Sequence, residues 1–279
     1  MNDLTLLIVN ADDFGLAAGV NQGVAEAFDR GIVRSASLLA GGGFAEDAAR
    51  IARERPGLGV GVHLALTQVQ PVLAAAKLSG LLAGGQLMPA GPRHLLPRLL
   101  TGKIQKAEII GEYSAQVEKV MDLGVKITHL DSHQHLNLLP VVREAFVEVA
   151  RKYSIRRMRM PRLAGPSRSG REWIKAMVID AARIASPSTF VEMVHPRHFW
   201  GLACSGDLTR SRLLKIIAGL QPGTHELMTH PAAFDQSMRE AYQWDYHWED
   251  ELAALCDPAV LELIKAKAVQ LGNFSQLND

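Results

Sequence analysis

The sequence predicts an α/β protein built on a parallel sheet, and three observations carry that expectation. Short apolar runs of strand length alternate with stretches whose apolar residues recur at helical spacing. Six or seven such β and α units follow one another along the chain, the order that lays strands parallel with helices as crossovers. Carboxylates, imidazoles and guanidinium groups then fall directly behind the apolar runs, where parallel sheets build their sites. Alternation alone does not separate a closed barrel from an open doubly wound sheet. The gathering of polar residues at one end favours the barrel.

Residues 4–9 form a continuous apolar run, as expected of a strand buried on both faces. A polar loop follows, and then Val20, Val24 and Phe28 mark a helix that Gly31 stops. Residues 35–39 read as the second strand and 44–54 as the second helix; 58–62 form a third strand that ends at His63. Residues 67–102, rich in Gly, Pro and Leu, break the rhythm and are read as an insertion in a single domain spanning 1–279. Ile109, Tyr113, Val117 and Val120 restore a helical stripe through Leu123. Residues 126–130 form a strand ending at Asp131, 141–153 a helix, and 157–160 a short strand; 164–189 read as helical with a polar loop at 165–170. Leu213, Leu214, Ile217 and Leu220 mark a helix before a strand at 224–228. Asp257 caps a helix whose first residue is Pro258 and which runs to about Ala268.

Composition narrows the function. The chain is 48% hydrophobic and 21% charged, which fits a packed globular protein and excludes disorder. Thirty Lys+Arg against 29 Asp+Glu give a formal net charge of +1, so no global field draws in nucleic acid or an anionic membrane. Two cysteines, Cys204 and Cys256, supply neither a disulfide framework nor a Cys-rich zinc site. No apolar run reaches the roughly 18–20 residues that span a bilayer, and the N-terminus lacks the features of a signal peptide. A soluble cytoplasmic protein is expected, with a homodimer as the default assembly. The excess lies in histidine, with ten in the chain.

Asn10-Ala11-Asp12-Asp13-Phe14-Gly15 is the sharpest local motif. Adjacent side chains leaving a strand point to opposite sides, so paired carboxylates can take different tasks, one binding a metal and the other acting as a general base. An isolated Asp here would be read as a helix cap or turn residue. Gly61-Val62-His63-Leu64 ends a strand on a histidine, which standing alone would be a satisfied turn residue. The densest cluster is Thr128-His129-Leu130-Asp131-Ser132-His133-Gln134-His135-Leu136-Asn137. If the strand continued, His129, Asp131, His133 and His135 would share one side, with some acting as ligands and others orienting them. Such Asp and His donors suit Mg, Mn, Co or Zn without choosing among them, and three protein ligands would leave positions open, as in catalytic sites. Arg159 and Arg162 flank the end of the fifth predicted strand, and His230 follows the last well-defined one. Trp244, Tyr246 and Trp248 suit either the rim of a sugar site or a packing cluster.

Taken together, the motifs at 10–15, 61–64, 128–133 and 226–231 resemble the YdjC-like carbohydrate deacetylases, a family that includes chitooligosaccharide deacetylases and hopanoid-biosynthesis-associated deacetylases. They occur in family order and span most of the chain. The resemblance implies a (β/α) barrel of the polysaccharide-deacetylase type, distorted and TIM-like, that removes the N-acetyl group of an amino sugar. It assigns one divalent metal ion, generally magnesium, to Asp13, His63 and His133, and the general base to Asp12. His230 is the expected acid for the departing amine. His129, Asp131 and His135 are expected around the substrate, His129 and His135 as supports for the ligands. Arg159 and Arg162 are expected either to orient sugar hydroxyls or Asp12 or to form a salt bridge at the barrel rim. Gln134 and Asn137 interrupt the near-continuous histidine run of the chitooligosaccharide pattern, which opens the substrate to glycolipid-linked amino sugars. Two rival readings are a sugar phosphoesterase, for which Gly41-Gly42-Gly43 would be the anion loop, and a sugar-binding protein that has lost catalysis.

Overall fold

The first apolar run becomes the central strand of the sheet. The computed structural model describes residues 4–82, 85–161, 190 and 192–278. Its strands are β1 (Thr5–Phe14), β2 (Ser35–Leu38), β3 (Gly59–Leu64), β4 (Ile127–Ser132), β5 (His198–Trp200), β6 (Gly223–Thr229) and β7 (Gln270–Gly272). They run in the order β4-β3-β2-β1-β6-β5, and every pairing is parallel. β7 pairs with Leu6, Leu7 and Ile8 of β1, below the point where β2 begins its own pairing at Asn10. The two edges of the sheet are tied together. Leu130 of β4 bridges to Met158, and Arg157 bridges to Val194, just ahead of β5. The sheet therefore curls into an irregular barrel, as expected of an α/β barrel.

Two strand assignments change. Residues 10–14, expected as a polar loop, continue β1 and are buried throughout. The strand expected at 157–160 contributes only isolated bridges: Leu130 N–H donates to Arg157 O and Leu130 O accepts from Arg159 N–H, while Met158 N–H donates to Val194 O and Val194 N–H to Arg156 O. β5, β7 and the helices Gln236–Ala241 and Trp248–Leu255 were not expected; the three-residue strands carry no periodicity to read.

Helices cover the outer face: α1 (Ala18–Asp29), α2 (Ala45–Arg53), α3 (Ser79–Leu82), α4 (Pro92–Leu100), α5 (Lys106–Asp122), α6 (Pro140–Lys152), α7 (Arg210–Ala218), α8 (Gln236–Ala241), α9 (Trp248–Leu255) and α10 (Pro258–Ala266). Leu7, Val9 and Ala11 of β1 share the main apolar cluster with residues of these helices, such as Val20, Val24 and Val117. The alternate residues Leu6 and Ile8 pack inside the barrel with Phe274 and Leu277. This C-terminal plug makes an apolar floor. Two-residue periodicity then brings Asn10 and Asp12 to the same interior face above it. Asp257 caps α10 as expected, accepting from Ala259 N–H, with Pro258 at the first helical position.

Residues 67–82 are tied to α5 by two buried or half-buried carboxylates one helical turn apart. Glu112 accepts the N–H groups of Val72 (3.0 Å) and Leu73 (2.9 Å), and Glu108 accepts those of Gly80 and Leu81. Gln116 links Glu112 onward to the backbone of Ala65. Removing a buried acceptor leaves its donors unpaired at about 1–3 kcal/mol each. Glu112→Ala is accordingly expected to lower the melting temperature by roughly 5–10 °C. It should also speed amide exchange at Val72 and Leu73, and unchanged exchange there would contradict this role for Glu112.

Candidate active site

Above the floor, the interior fills with charge. Arg159 is 1% exposed, and its guanidinium meets three carboxylates. It pairs bidentately with Asp12 through Nη1 and Nη2, both at 2.6 Å. Nη1 also lies 3.0 Å from Asp131 Oδ2, and Nε donates to Glu226 Oε1 at 2.5 Å. Its charge rests over the Phe199 ring. Burial alone would raise the Asp12 carboxyl, but the charge and hydrogen bonds of Arg159 hold it far below the usual carboxylate range. Burial likewise raises Asp131, and His63 and Arg159 outweigh it. Glu226 differs. Its burial dominates, its Oε2 has no hydrogen-bond partner among the described residues, and its carboxyl is pushed up to about 7.

A second group stands beside the first. Parallel register places His63 of β3 next to Asp131 of β4, and His63 Nδ1 lies 2.8 Å from Asp131 Oδ1. The other ring nitrogen, Nε2, is thereby aimed at Asp13 Oδ1 (3.6 Å) and at His133 Nδ1 (3.3 Å), while His133 Nδ1 to Asp13 Oδ1 closes the triangle at 3.2 Å. Metal–ligand bonds of about 2.0–2.2 Å from a shared centre separate donors by roughly 3–3.5 Å, so the triangle fits one cation. Asp13 Oδ1 is buried and receives no well-formed hydrogen bond among the described residues. A buried carboxylate oxygen left this way is what a cation site requires. Burial depresses the His63 imidazole's affinity for a proton, but Asp131, Asp12 and Asp13 overcome it and hold the group up at about 9.

Adjacent strand residues were expected to point apart, yet both carboxylates reach this centre. The backbone explains it. The β1–β2 register shifts between Ala11 and Phe14, and Asp13 sits at φ +62°, a left-handed conformation uncommon outside glycine but tolerated by Asp and Asn. The turn swings Asp13 back beside Asp12, and Asp12 Oδ2 is 4.0 Å from His63 Nε2.

The histidine cluster does not converge as a continuing strand would require. β4 ends at Ser132, and Gln134 and His135 take left-handed φ values of 56° and 55°. His133 alone joins Asp13 and His63. His129 is fully enclosed below, stacked on Phe274 at 3.8 Å and hydrogen-bonded to Ser37 Oγ and Thr128 Oγ1. Its ring fills the space that a side chain at Gly61 would need, within 2.4–2.6 Å of that Cβ position. Asp131 is also fully buried. Both side chains are fully enclosed and lie beneath the site; for Asp131 this replaces the expected place around a substrate. His135 meets the edge of Phe199 at 6.0 Å, and burial pulls its affinity for a proton down to about 3. His230 directly follows β6; its backbone N–H donates to the buried Glu251 at 2.7 Å, and its ring packs edge-on against Tyr246 at 4.9 Å. Arg162 lies outside the described residues.

Some contacts of the site carried no readable signal. Asn10 donates to Asp12 Oδ1 and to Ser37 Oγ, and Ser37 donates to Asp131 Oδ2, each at 2.8 Å. Gln68, from a turn, faces His133. Glu226 opened the 226–231 motif, but nothing local to β6 marked it as a partner of Arg159. The aromatic residues at 242–248 form one wall, with Trp244 6.1 Å from the His133 ring and 5.2 Å from Tyr242. Beyond Tyr242 opens a groove of about 530 Å3 whose walls include Leu16, Phe44, Val69, Met88 and Met238.

An irregular α/β barrel carrying a two-histidine, one-aspartate centre beside an arginine-clamped aspartate defines a class of site suited to hydrolysis. Comparison with known proteins agrees with the fold and gives the family. The family described as YdjC-like protein matches residues 6–266, and the chain belongs to it. Among its relatives, a carbohydrate deacetylase of Thermoanaerobacter pseudethanolicus is 32% identical over 97% of this chain and 98% of its own. A chitooligosaccharide deacetylase of Enterobacter sp. is 32% identical, covering 98% of this chain and 99% of its own. A crystal structure from Enterococcus faecalis, whose description names cellobiose-phosphate cleavage, superposes with a TM-score of 0.75 at 24% identity, covering 97% of this chain and 98% of its own. That likeness supports the fold. No helix among the described residues is long and apolar enough to cross a membrane.

The charge balance around Arg159 generates a pH dependence. Glu226 holds its proton in the folded protein up to about pH 7 but would release it near 4.5 when unfolded. The stability this contributes is complete below about pH 4.5 and is lost as pH rises through 7. Glu226→Gln mimics the protonated form. It should match wild type in urea denaturation at pH 5 and exceed it at pH 8 by about 1–3 kcal/mol. An equal gap at both pH values would refute the assignment.

Proposed function

We propose that this protein is a metal-dependent carbohydrate deacetylase, hydrolysing the N-acetyl group of an amino sugar such as N-acetylglucosamine carried on an oligosaccharide or a lipid. The observation that carries the reading is the triangle of Asp13 Oδ1, His63 Nε2 and His133 Nδ1 with Asp12 next to it. The named activities of the relatives support the same reaction. Asp13, His63 and His133 would hold one divalent cation, magnesium by family resemblance. When bound, that ion supplies Lewis acidity toward a carbonyl and toward water, which suits a neighbouring carboxylate of low basicity.

The chain's own groups then divide the work. Arg159 and Asn10 fix both oxygens of Asp12 and keep it ionised, ready to take the proton of a water attacking the acetamide carbon. Asp131 holds the His63 ring so that Nε2 faces the centre. His230 would hand a proton to the departing nitrogen as the C–N bond breaks, giving acetate and the free amine. Trp244, half-buried and beside His133, offers a flat apolar face for the sugar ring, and the groove beyond Tyr242 takes the rest of the molecule. Gly41 and Gly42 support no phosphate cradle. Cβ atoms there would fall 2.2 Å from the carbonyl oxygens of Gln70 and Gly15, so these glycines serve close backbone packing in the turn that enters α2.

Three measurements test this. Chelation should abolish deacetylation of N-acetylglucosamine oligomers or an N-acetylglucosaminyl lipid, and a divalent ion should restore it; full turnover in chelator would sink the metal assignment. Asp12→Asn should lower kcat by about 10²–10⁴ with the fold intact. Trp244→Ala should raise KM several-fold while changing kcat little, and the substrate that suffers the larger rise is the one that uses the wall.

A further inference from the structure

We infer that Gln68 is a positioning residue that sets which ring nitrogen of His133 carries the proton, an assignment that rests on the reading of Asp13, His63 and His133 as a cation site. His133 turns Nδ1 toward Asp13 and His63, 3.2 and 3.3 Å away. A neutral imidazole can offer the Nδ1 lone pair only if its proton sits on Nε2. The group facing Nε2 is the Gln68 side-chain oxygen, at 3.0 Å. Gln68 Oε1 accepts from Nε2–H, and the metal-competent tautomer is fixed before any ion arrives.

The orientation of that amide is itself held. Gln134 Nε2 donates to the same Gln68 oxygen at 2.7 Å, and Gln134 Oε1 accepts from the Thr67 hydroxyl at 2.8 Å. A short relay thus runs from Thr67 through Gln134 to Gln68 and ends on His133. Both glutamines hold their places at a cost in backbone geometry: Gln68 sits at φ +63° and Gln134 at φ +56°, left-handed values that non-glycine residues seldom adopt. They meet at the Gln68 oxygen, the atom that faces His133 Nε2. The two ligating histidines are therefore oriented by different chemistry. His63 uses a carboxylate, Asp131, and His133 uses a neutral amide.

Cobalt(II) absorption titration of the full chain, together with ¹⁵N shifts of the His133 ring in the metal-free protein, tests this. Gln68→Asn keeps a residue that tolerates left-handed backbone but withdraws the oxygen by one methylene. It should weaken cobalt binding by about 10–100-fold and shift His133 from the Nε2–H tautomer to a mixture. Gln68→Glu keeps an acceptor at the same reach and should bind cobalt within a few-fold of wild type. Gln134→Asn should act in the same direction as Gln68→Asn but more weakly, and it supplies the test if Gln68→Asn fails to fold. Cobalt affinity and tautomer both unchanged in Gln68→Asn would overturn the role of Gln68. A wild-type protein that takes up no cobalt at all would instead overturn the cation site, and this assignment with it.

Discussion

A guanidinium group sealed inside a barrel is the constraint around which the rest is arranged. Arg159 cannot give up its charge, and an isolated buried charge is prohibitively costly. The interior therefore supplies Asp12, Asp131 and Glu226 to meet it. Each tie has a consequence at the site. Asp12 is pinned in one orientation and kept ionised. Asp131 bridges the guanidinium to His63 and so aims a ligand. Glu226 is the surplus carboxylate, and burial answers the surplus by keeping it protonated to about pH 7.

The division of labour between Asp12 and Asp13 follows from backbone geometry more than from side-chain chemistry. Both are aspartates, adjacent and buried. Asp12 lies on the regular interior face of β1 and meets Arg159. Asp13 departs from strand geometry at φ +62° and meets the two imidazoles. A regular strand would have sent the second carboxylate outward among the helices, where nothing could pair it. The left-handed residue at the strand end is thus what converts a sequence doublet into two neighbouring roles, and similar turns at Gln68 and Gln134 place the groups around His133.

The remaining polar interior is supported from below and from the side. Phe274 and Leu277 close the floor, and His129 stacks on Phe274 in space that the absence of a side chain at Gly61 leaves open. On the open side, the aromatic residues from Tyr242 to Trp248 stand between His133 and the groove. Apolar walls around the charged centre strengthen each electrostatic contact by excluding water.

The sequence by itself determined the α/β class, the parallel strands at β1 to β4 and β6, and the identity of Asp12, Asp13, His63, His133 and His230 as residues at strand ends. Those features are local: apolar runs, helical stripes and polar residues immediately behind them. The tertiary structure alone decided how the barrel closes, since the bridges at Met158 and Val194 are too short to leave a periodic trace. It also decided which histidines converge, because the strand at 127–132 ends one residue before His133 and two left-handed residues carry His135 elsewhere. Gln68 and Ser37 join the site only through contacts between residues far apart in the chain, and the partners of Asn10 and Glu226 across the barrel are of the same kind. A residue's type and its position along a strand are written locally, whereas the partner that fixes its charge, its tautomer or its direction comes from another strand or loop and exists only once the sheet has curled.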